Sequence, residues 1–118
     1  MKIRLPLPPP ELSPNARVHW AKRAKAVKKY RETCGWSAEA QVTRDEMEIH
    51  AVLPAVVTIT FFHDDFRRRD WDNLLASFKA GLDGLVDSGV LTGDSTSHIA
   101  SLTLATAYGD PCVMVEVT

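Results

Sequence analysis

The segment that decides the fold runs from residue 55 to residue 88 and reads AVVTITFFHDDFRRRDWDNLLASFKAGLDGLVDS. After Ala55, the next seven residues are all β-branched or aromatic, which predicts a well-buried strand over residues 55 to 62. After a charged connection, residues 71 to 88 carry apolar side chains on one face of a helix that Gly89 ends. The face expected to lie on the sheet holds Leu74, Leu75, Phe78, Leu82, Leu85 and Val86.

The sequence on either side of this unit predicts a small α+β domain. Residues 2 to 7 alternate basic and apolar side chains, as in a short strand that the following prolines end. Residues 17 to 40 predict one basic helix, which could break near Gly35. Residues 99 to 105 and 113 to 117 alternate around a turn at 108 to 111, which predicts an antiparallel C-terminal hairpin. Residues 41 to 50 are polar and mixed, and their pattern is too ambiguous to assign an element.

The order β-α-β-α-β-β indicates a two-layer α+β sandwich, a mixed sheet with helices packed on one face. At 118 residues, 45% hydrophobic and 25% charged, the chain is expected to form a single domain over residues 1–118. No apolar run approaches the roughly 20 residues of a membrane span, and the N-terminus lacks the apolar core of a signal peptide. We therefore expect a cytoplasmic protein with no membrane partner. Cys34 and Cys112 fit no metal-ligand spacing and are expected to be buried.

Charge is distributed unevenly along the chain. The first 34 residues hold nine basic and two acidic side chains, a net charge of +7, so the rest of the chain carries −8. A basic part beside an acidic part is typical of proteins that meet phosphates with one and a metal with the other. A solvated helix face that is only incidentally basic has the same pattern. The helix residues expected to contact DNA are Lys22, Arg23, Lys25, Lys28 and Lys29.

Two aspartates, Asp70 and Asp72, flank Trp71 at the predicted entrance of the second helix. In an extended entry, residues i and i+2 project to the same side, so both carboxylates could bind one divalent cation. Hard cations such as Mg²⁺ combine such carboxylates with phosphate oxygens of a substrate. Alternatively, either aspartate only caps the helix. The arginines that would hold a polyanion beside the cation are Arg67, Arg68 and Arg69.

Further along this helix, Lys79 lies about 20° from Asp72 on a helical wheel, on a stripe that also carries Asp83 and Asp87. There its ammonium would stabilise charge that builds on a phosphate. The alternative is an i,i+4 ion pair with Asp83. Asp94 follows a glycine turn and is a further site residue, only a turn residue, or a cap for the following segment. Spacing alone cannot bring it to a metal.

Two other groups have alternative interpretations. His63-Asp64-Asp65 forms a second candidate ligand cluster or a solvated turn at the end of a strand. His19 and Trp20 could stack on a base or sugar, or Trp20 could anchor the basic helix to the core.

The stretches RDWDNLL at 69 to 75, KAGLDGL at 79 to 85, Gly89-Val90 and Asp94-Ser95 resemble RusA-type Holliday junction resolvases. The opening PPPELSPN at 8 to 15, which leads into a basic helix, is similar to the phage and prophage members. The likeness spans most of the chain. In the better-known members, however, the lysine comes one helical turn earlier, where this chain has Ala76. They also often have two adjacent acids where it has Gly93-Asp94.

The resemblance implies a Mg²⁺-dependent endodeoxyribonuclease, with Mn²⁺ as a substitute, that acts as a homodimer. Its implied partner is branched DNA, a four-way junction nicked symmetrically in two strands during recombination or repair. The implied location is the nucleoid of a bacterial or phage-infected cell. By motif, Asp70, Asp72 and Asp94 match the metal ligands and Lys79 the essential lysine.

Two other functions remain open on the residues alone. One is a non-catalytic module that binds branched DNA, its acids serving as helix caps and as partners for the arginines. The other is a metal-dependent nuclease or phosphoesterase that acts on flaps, RNA or nucleotides, because nothing in the motif encodes a four-way substrate.

Overall fold

The computed structural model describes residues 1–49 and 54–118. In these ranges the chain has four strands, three α-helices and a 3₁₀ helix at Pro10–Leu12. The strands and helices, in chain order, are β1 (Lys2–Leu5), α1 (Trp20–Gln41), α2 (Arg44–Ile49), β2 (Ala55–His63), α3 (Trp71–Asp87), β3 (Ile99–Tyr108) and β4 (Cys112–Val117). The predicted α+β class is confirmed.

The four strands form one mixed sheet in the order β1-β4-β2-β3. β4 pairs antiparallel with both β1 and β2, whereas β2 pairs parallel with β3. Along β2, Val57, Ile59 and Phe61 are buried, while Val56 on the opposite face is exposed. One face of the sheet therefore lies on the core, as predicted for a two-layer sandwich.

The predicted C-terminal hairpin is wrong. β3 and β4 follow each other in sequence, but β2 lies between them in the sheet. The connection crosses the end of β2, where the backbone N–H of Gly109 donates to the carbonyl of His63 at 3.0 Å. The physical reason is burial: β2 and β4, with four buried side chains each, take the interior positions, which have a partner strand on both sides. The mostly exposed β3 is left at the edge.

Helix α3 packs against the sheet as its pattern predicts. Phe78, Leu82 and Leu85 are buried, and the rest of the predicted face is partly buried against the same core. The ring of Phe78 meets the ring of Phe61 edge-on, with centroids 5.9 Å apart. The helix ends before Gly89, whose φ of +86° is a conformation that glycine adopts without strain.

Helix α1 runs without interruption through Gly35, so the break considered there does not occur. The glycine has a packing role instead. Gly35 and Gly84 face each other where α1 meets α3, and a Cβ on Gly84 would lie 2.5 Å from the carbonyl oxygen of Arg31. The two glycines therefore permit a close approach of the helix backbones.

Helix α2 lies where the sequence predicted no element. Its start carries a reciprocal cap: the backbone N–H of Glu46 donates to the hydroxyl of Thr43, and that of Thr43 donates to the carboxylate of Glu46. The spacing Thr-x-x-Glu is a recognised start signal and could have been read from the sequence. Residue 50, the last of that unassigned stretch, lies outside the described residues.

Cys34 and Cys112 are both buried and form no disulfide. Burial raises the pKa of the Cys34 thiol to about 11. Within the described ranges, no helix is both long enough and apolar enough to cross a membrane.

Candidate functional site

The predicted site lies where β2 leads through a charged loop into α3. Asp70 occupies the N-cap position of α3, and its backbone carbonyl accepts the first helical hydrogen bond, from Leu74 at 3.1 Å. Its side chain makes no capping hydrogen bond, so the carboxylate is not used by the helix end. Asp72, in the first turn, is exposed, and none of the described hydrogen bonds or ion pairs involves its carboxylate. The capping alternative is therefore not realised by the side chain of Asp70.

Lys79 is held by two carboxylates, one near in sequence and one distant. Its ammonium lies 2.6 Å from Asp83 in the same helix and 2.5 Å from Asp94 in the turn after it. The hydrogen bond to Asp83, followed by that to Asp94, raises the pKa of Lys79, and Lys79 in turn lowers the pKa of Asp94. The i,i+4 pair considered from the sequence is present. The fold also brings Asp94 to the lysine, which spacing alone could not establish.

The predicted ligands do not form a closed metal cage. Within residues 1–49 and 54–118, no group of three or more His, Cys, Asp and Glu side chains is placed to hold a metal ion. Asp94 contacts Lys79, whereas Asp70 has a distant arginine partner, the Nε of Arg68 at 3.9 Å. The expected extended entry includes Asp70 but not Asp72, because α3 begins at Trp71 and Asp72 lies in its first turn. The chain thus offers two exposed carboxylates at the start of α3.

The three arginines before α3 have different surroundings. Arg69 donates two hydrogen bonds to the carboxylate of Asp65, at 2.8 and 3.1 Å, and one to the carbonyl of Arg67. Arg68 is almost fully exposed beside Asp70. Arg67 is also exposed, and the described hydrogen bonds use its backbone and not its guanidinium. Arg67 and Arg68 therefore remain able to bind a phosphate, while Arg69 stabilises the loop.

In the structure, Arg69 forms an ion pair with Asp65 of the cluster His63-Asp64-Asp65. The hydrogen bonds from Arg69 lower the pKa of Asp65 to about 2. Partial burial, and then the positive charge of Arg69, lower the pKa of His63. The contacts of Asp65 fit the interpretation of a turn that an internal ion pair stabilises.

Two clefts adjoin this arginine loop. One, of about 440 Å³, contains Asp70, and we call it the Asp70 cleft. The other, of about 360 Å³, has three aromatic residues in its wall, and we call it the aromatic cleft. Both are lined by Arg67 and Arg69. The Asp70 cleft is completed by Ser13, Asn15, Arg68, Asn73, Leu74 and Ser77, and the aromatic cleft by His63, Asp65, Phe66, Trp71, Thr106, Ala107 and Tyr108.

Several lining residues were missed as site residues. The sequence predicted no site role for Ser13, Asn15, Phe66 or Tyr108. Residue 108 is separated from residue 66 by a helix and a strand, so only the parallel pairing of β2 with β3 brings them together. For Ser13 and Asn15 a signal existed, because the opening stretch belongs to the resemblance that also includes the aspartates.

The basic side chains of α1 differ in their exposure and contacts. Lys22, Lys25, Lys28 and Lys29 are exposed. Arg23 is half-buried and donates to the carbonyls of Ser13 and Ala16, at 3.2 and 3.0 Å. Its guanidinium thus fastens the segment that lines the Asp70 cleft, so among the five predicted DNA contacts it has a structural use.

The contacts at the start of α1 exclude one of the two interpretations of Trp20, that it anchors the helix to the core. His19 is the N-cap, and its Nδ1 accepts a hydrogen bond from the backbone of Ala21 at 3.2 Å. Trp20 is exposed, so it does not anchor the helix to the core.

Comparison with known proteins adds a relative. No protein-family model matches the chain. An uncharacterized protein of Xylella fastidiosa (strain Temecula1 / ATCC 700964) is 36% identical over 93 residues, which is 73% of this chain. The match spans 56% of the length of that protein, whose description carries no activity.

Proposed function

We propose that the chain is a Mg²⁺-dependent endodeoxyribonuclease that acts on branched DNA, as the resemblance to RusA-type resolvases implies. The observation that carries this proposal is the pair Asp70 and Asp72 at the start of α3, where the Asp70 side chain makes no cap and lines a cleft together with three arginines. The free carboxylates favour a divalent cation, and the positive end of the helix dipole favours the phosphate that this cation would bridge to the protein.

The carboxylates of Asp70 and Asp72 are oxygen ligands of the kind that a magnesium ion prefers. Mg²⁺ in phosphate chemistry is usually bound by one or two carboxylates, with substrate oxygens and waters completing the shell. Asp70 and Asp72 would hold it, with Mn²⁺ as a substitute. The resemblance implies Asp94 as a third ligand, although in the structure its carboxylate contacts Lys79. The bound cation would lower the pKa of an attacking water and neutralise phosphate charge.

The remaining residues would position the substrate and balance its charge. Arg67 and Arg68 would hold the backbone phosphate at the mouth of the Asp70 cleft, with bidentate hydrogen bonds from the guanidinium. Lys79 would face the charge that builds on the phosphate, and Asp94 orients its ammonium. The exposed lysines of α1 would contact phosphates further along the strand, without sequence preference.

We further propose that two copies pair along β3. This edge strand has ten residues, IASLTLATAY, without a charge or a proline to discourage pairing. It runs parallel to β2, yet most of its residues are exposed, whereas parallel strands are usually covered on both faces. A second copy paired antiparallel would extend the sheet and relate two sites by a two-fold axis, as paired nicks require.

The function is tested by comparing cleavage of a four-way junction, a flap, a duplex and a single strand with and without Mg²⁺. We expect paired nicks in the junction that depend on Mg²⁺ or Mn²⁺. Asp72→Asn should abolish them and leave junction binding intact or tighter, because a negative charge is removed. Asp110→Asn, in an exposed turn, is the matched control and should cleave normally. Retained cleavage in Asp72→Asn would overturn the assignment.

A second candidate is a module that binds branched DNA without cutting it. It is favoured by the lack, within the described residues, of a three-ligand metal group. In the same experiment it predicts junction binding that needs no metal and leaves no nicks. A nuclease for flaps or other nucleic acids predicts the reverse preference among the four substrates. For either DNA function, the proposed location is the nucleoid within the cytoplasm.

A further inference from the structure

An exposed aromatic stack lies in the aromatic cleft. The rings of Phe66 and Tyr108 are nearly parallel, with an interplanar angle of 12° and centroids 5.0 Å apart. Phe66 is 89% exposed and Tyr108 63% exposed, so the stack is not part of the core. Phenylalanine is an apolar side chain that folding usually covers. A ring that is stacked on one side and open on the other offers a flat surface for another ring.

The charged side chains around the stack indicate which class of ligand it would bind. Arg67 and Arg69 line the same cleft, and Arg67 is exposed with its guanidinium unused by the described hydrogen bonds. Asp65, the acid in this lining, is already paired with Arg69. An open aromatic face beside an available guanidinium suits a flat ring attached to an anion, which is the chemistry of a nucleotide.

The position of the stack relates it to the carboxylates of α3. Arg67 and Arg69 line both the aromatic cleft and the Asp70 cleft, so the two clefts are adjacent. Trp71, in the wall of the aromatic cleft, stands between Asp70 and Asp72 in the sequence. A phosphate held near Asp70 would therefore have its neighbouring base within reach of Phe66.

We propose that Phe66 and Tyr108 form a stacking site for one unpaired nucleobase of the DNA strand whose phosphate lies in the Asp70 cleft. The base must be unpaired, since a base inside a duplex already stacks on both faces. This inference rests on the proposed function for its choice of DNA and adds a preference for sites with an unstacked base.

The test uses binding without cleavage, in EDTA. The probe is a fluorescein-labelled oligothymidylate, compared with the same oligonucleotide lacking one base at its centre, and binding is followed by anisotropy. The intact probe should bind more tightly than the abasic one. Phe66→Leu and Tyr108→Leu should each weaken binding of the intact probe by about 5-fold or more and reduce the difference between the probes. Both residues are exposed, so the variants are expected to fold.

A matched control and a local signal make the test specific. Trp36→Leu replaces an exposed aromatic residue of α1 that lines neither cleft, and it should bind both probes as the wild type does. The chain has three tryptophans. Replacing Trp20 and Trp36 by phenylalanine leaves Trp71 alone in the cleft wall, and its fluorescence should be quenched by the intact probe.

The outcomes separate this inference from the proposed function. If Phe66→Leu and Tyr108→Leu keep the wild-type preference for the intact probe, the stacking site is wrong, whatever the cleavage result. If the variants lose that preference while no junction is ever cleaved in Mg²⁺, the stacking site stands and the nuclease assignment fails.

Discussion

The ammonium of Lys79 lies 2.5 Å from the carboxylate of Asp94, fifteen residues further along the chain. This contact ties the turn after α3 back to the middle of that helix. The same ammonium also bonds Asp83, one helical turn away, at 2.6 Å. One cation with two carboxylate partners allows the roles of those partners to be compared directly.

We predict that Asp94→Asn and Asp83→Asn differ in their effect on cleavage. Asp94 is a proposed metal ligand, so its loss should reduce Mg²⁺-dependent cleavage by about 100-fold or more, whereas Asp83→Asn should remain within several-fold of the wild type. Lys79→Gln should lose cleavage as Asp94→Asn does and retain junction binding. Single-turnover cleavage and junction affinity, measured side by side, check this. Equal losses for the two aspartates would indicate that both only position the lysine.

Acid stability should depend on the contact between Arg69 and Asp65. The pKa of Asp65 is about 2 in the folded chain, against about 4 for an unfolded aspartate, so the folded state binds fewer protons in this range. The resulting stabilisation is complete above about pH 4 and is lost as the pH falls toward 2. Arg69→Met removes the contact, so the melting temperature should fall less steeply between pH 4 and pH 2.

The control for this prediction is Arg44→Met. Arg44 makes a looser and more exposed pair with Glu48, at 3.6 Å. The melting temperature of the Arg44→Met variant should show the same pH dependence as that of the wild type. A wild-type slope in Arg69→Met would mean that Asp65 does not contribute to the acid sensitivity.

The contact between α1 and α3 should tolerate a methyl group poorly at Gly84. A Cβ there would lie 2.5 Å from the backbone carbonyl of Arg31, which moves only if the helices separate. We expect Gly84→Ala to cost about 1–3 kcal/mol in the free energy of unfolding. Gly35→Ala meets its nearest atom at 3.3 Å and gains up to about 1 kcal/mol in helix propensity, so its net cost should be smaller. Urea denaturation of both variants measures the difference, and equal costs would contradict the packing account.

The basic residues of α1 should divide into DNA contacts and a structural residue. Replacing Lys25, Lys28 and Lys29 together by alanine should weaken junction binding and reduce its salt dependence, with little change in stability. Arg23→Ala should instead lower stability, because two backbone carbonyls lose their donor. Salt titrations of junction affinity, together with thermal melts, distinguish the two. Undiminished binding in the triple variant would remove α1 from the interface.

The pairing of two copies along β3 predicts a dimer that a charge on this strand disrupts. Leu102, 39% exposed on the face of β3 that it shares with Val57, lies near the middle of the strand and would come close to the second copy. Leu102→Glu should therefore shift the protein to a monomer, as measured by light scattering after gel filtration. Val56→Glu, on the opposite face of the neighbouring strand and 43% exposed, is the control and should stay dimeric. A monomeric wild type would overturn the pairing.

Some features were predictable because their signal is local. The β-branched run at residues 55 to 62 and the apolar face of residues 71 to 88 repeat with the periods of a strand and a helix, and the structure confirms both elements. The end of α3 before Gly89 was predictable for the same reason. The start of α2 carried an equally local signal, the Thr43 and Glu46 cap, which went unused.

The order of the strands was not predictable in this way. Residues 99 to 117 have the sequence pattern of a hairpin. That pattern does not indicate whether another strand lies between the two strands in the sheet. β2 does so and places Val57, Ile59 and Phe61 in the core, whereas the mostly exposed β3 lies at the edge. Which strand takes an interior position depends on the total burial of side chains in the fold. A short segment of sequence does not contain that information.

By itself, then, the sequence determined the two central elements, the aspartates Asp70 and Asp72 at the start of α3, and the basic character of the first 34 residues. Only the tertiary structure decided that Lys79 meets Asp94, that Phe66 stacks on Tyr108, and that Arg23 is used within the fold. The first group depends on the periodicity of neighbouring residues, which chain geometry imposes directly. The second depends on which distant surfaces pack together, and that is settled by the burial of the whole core.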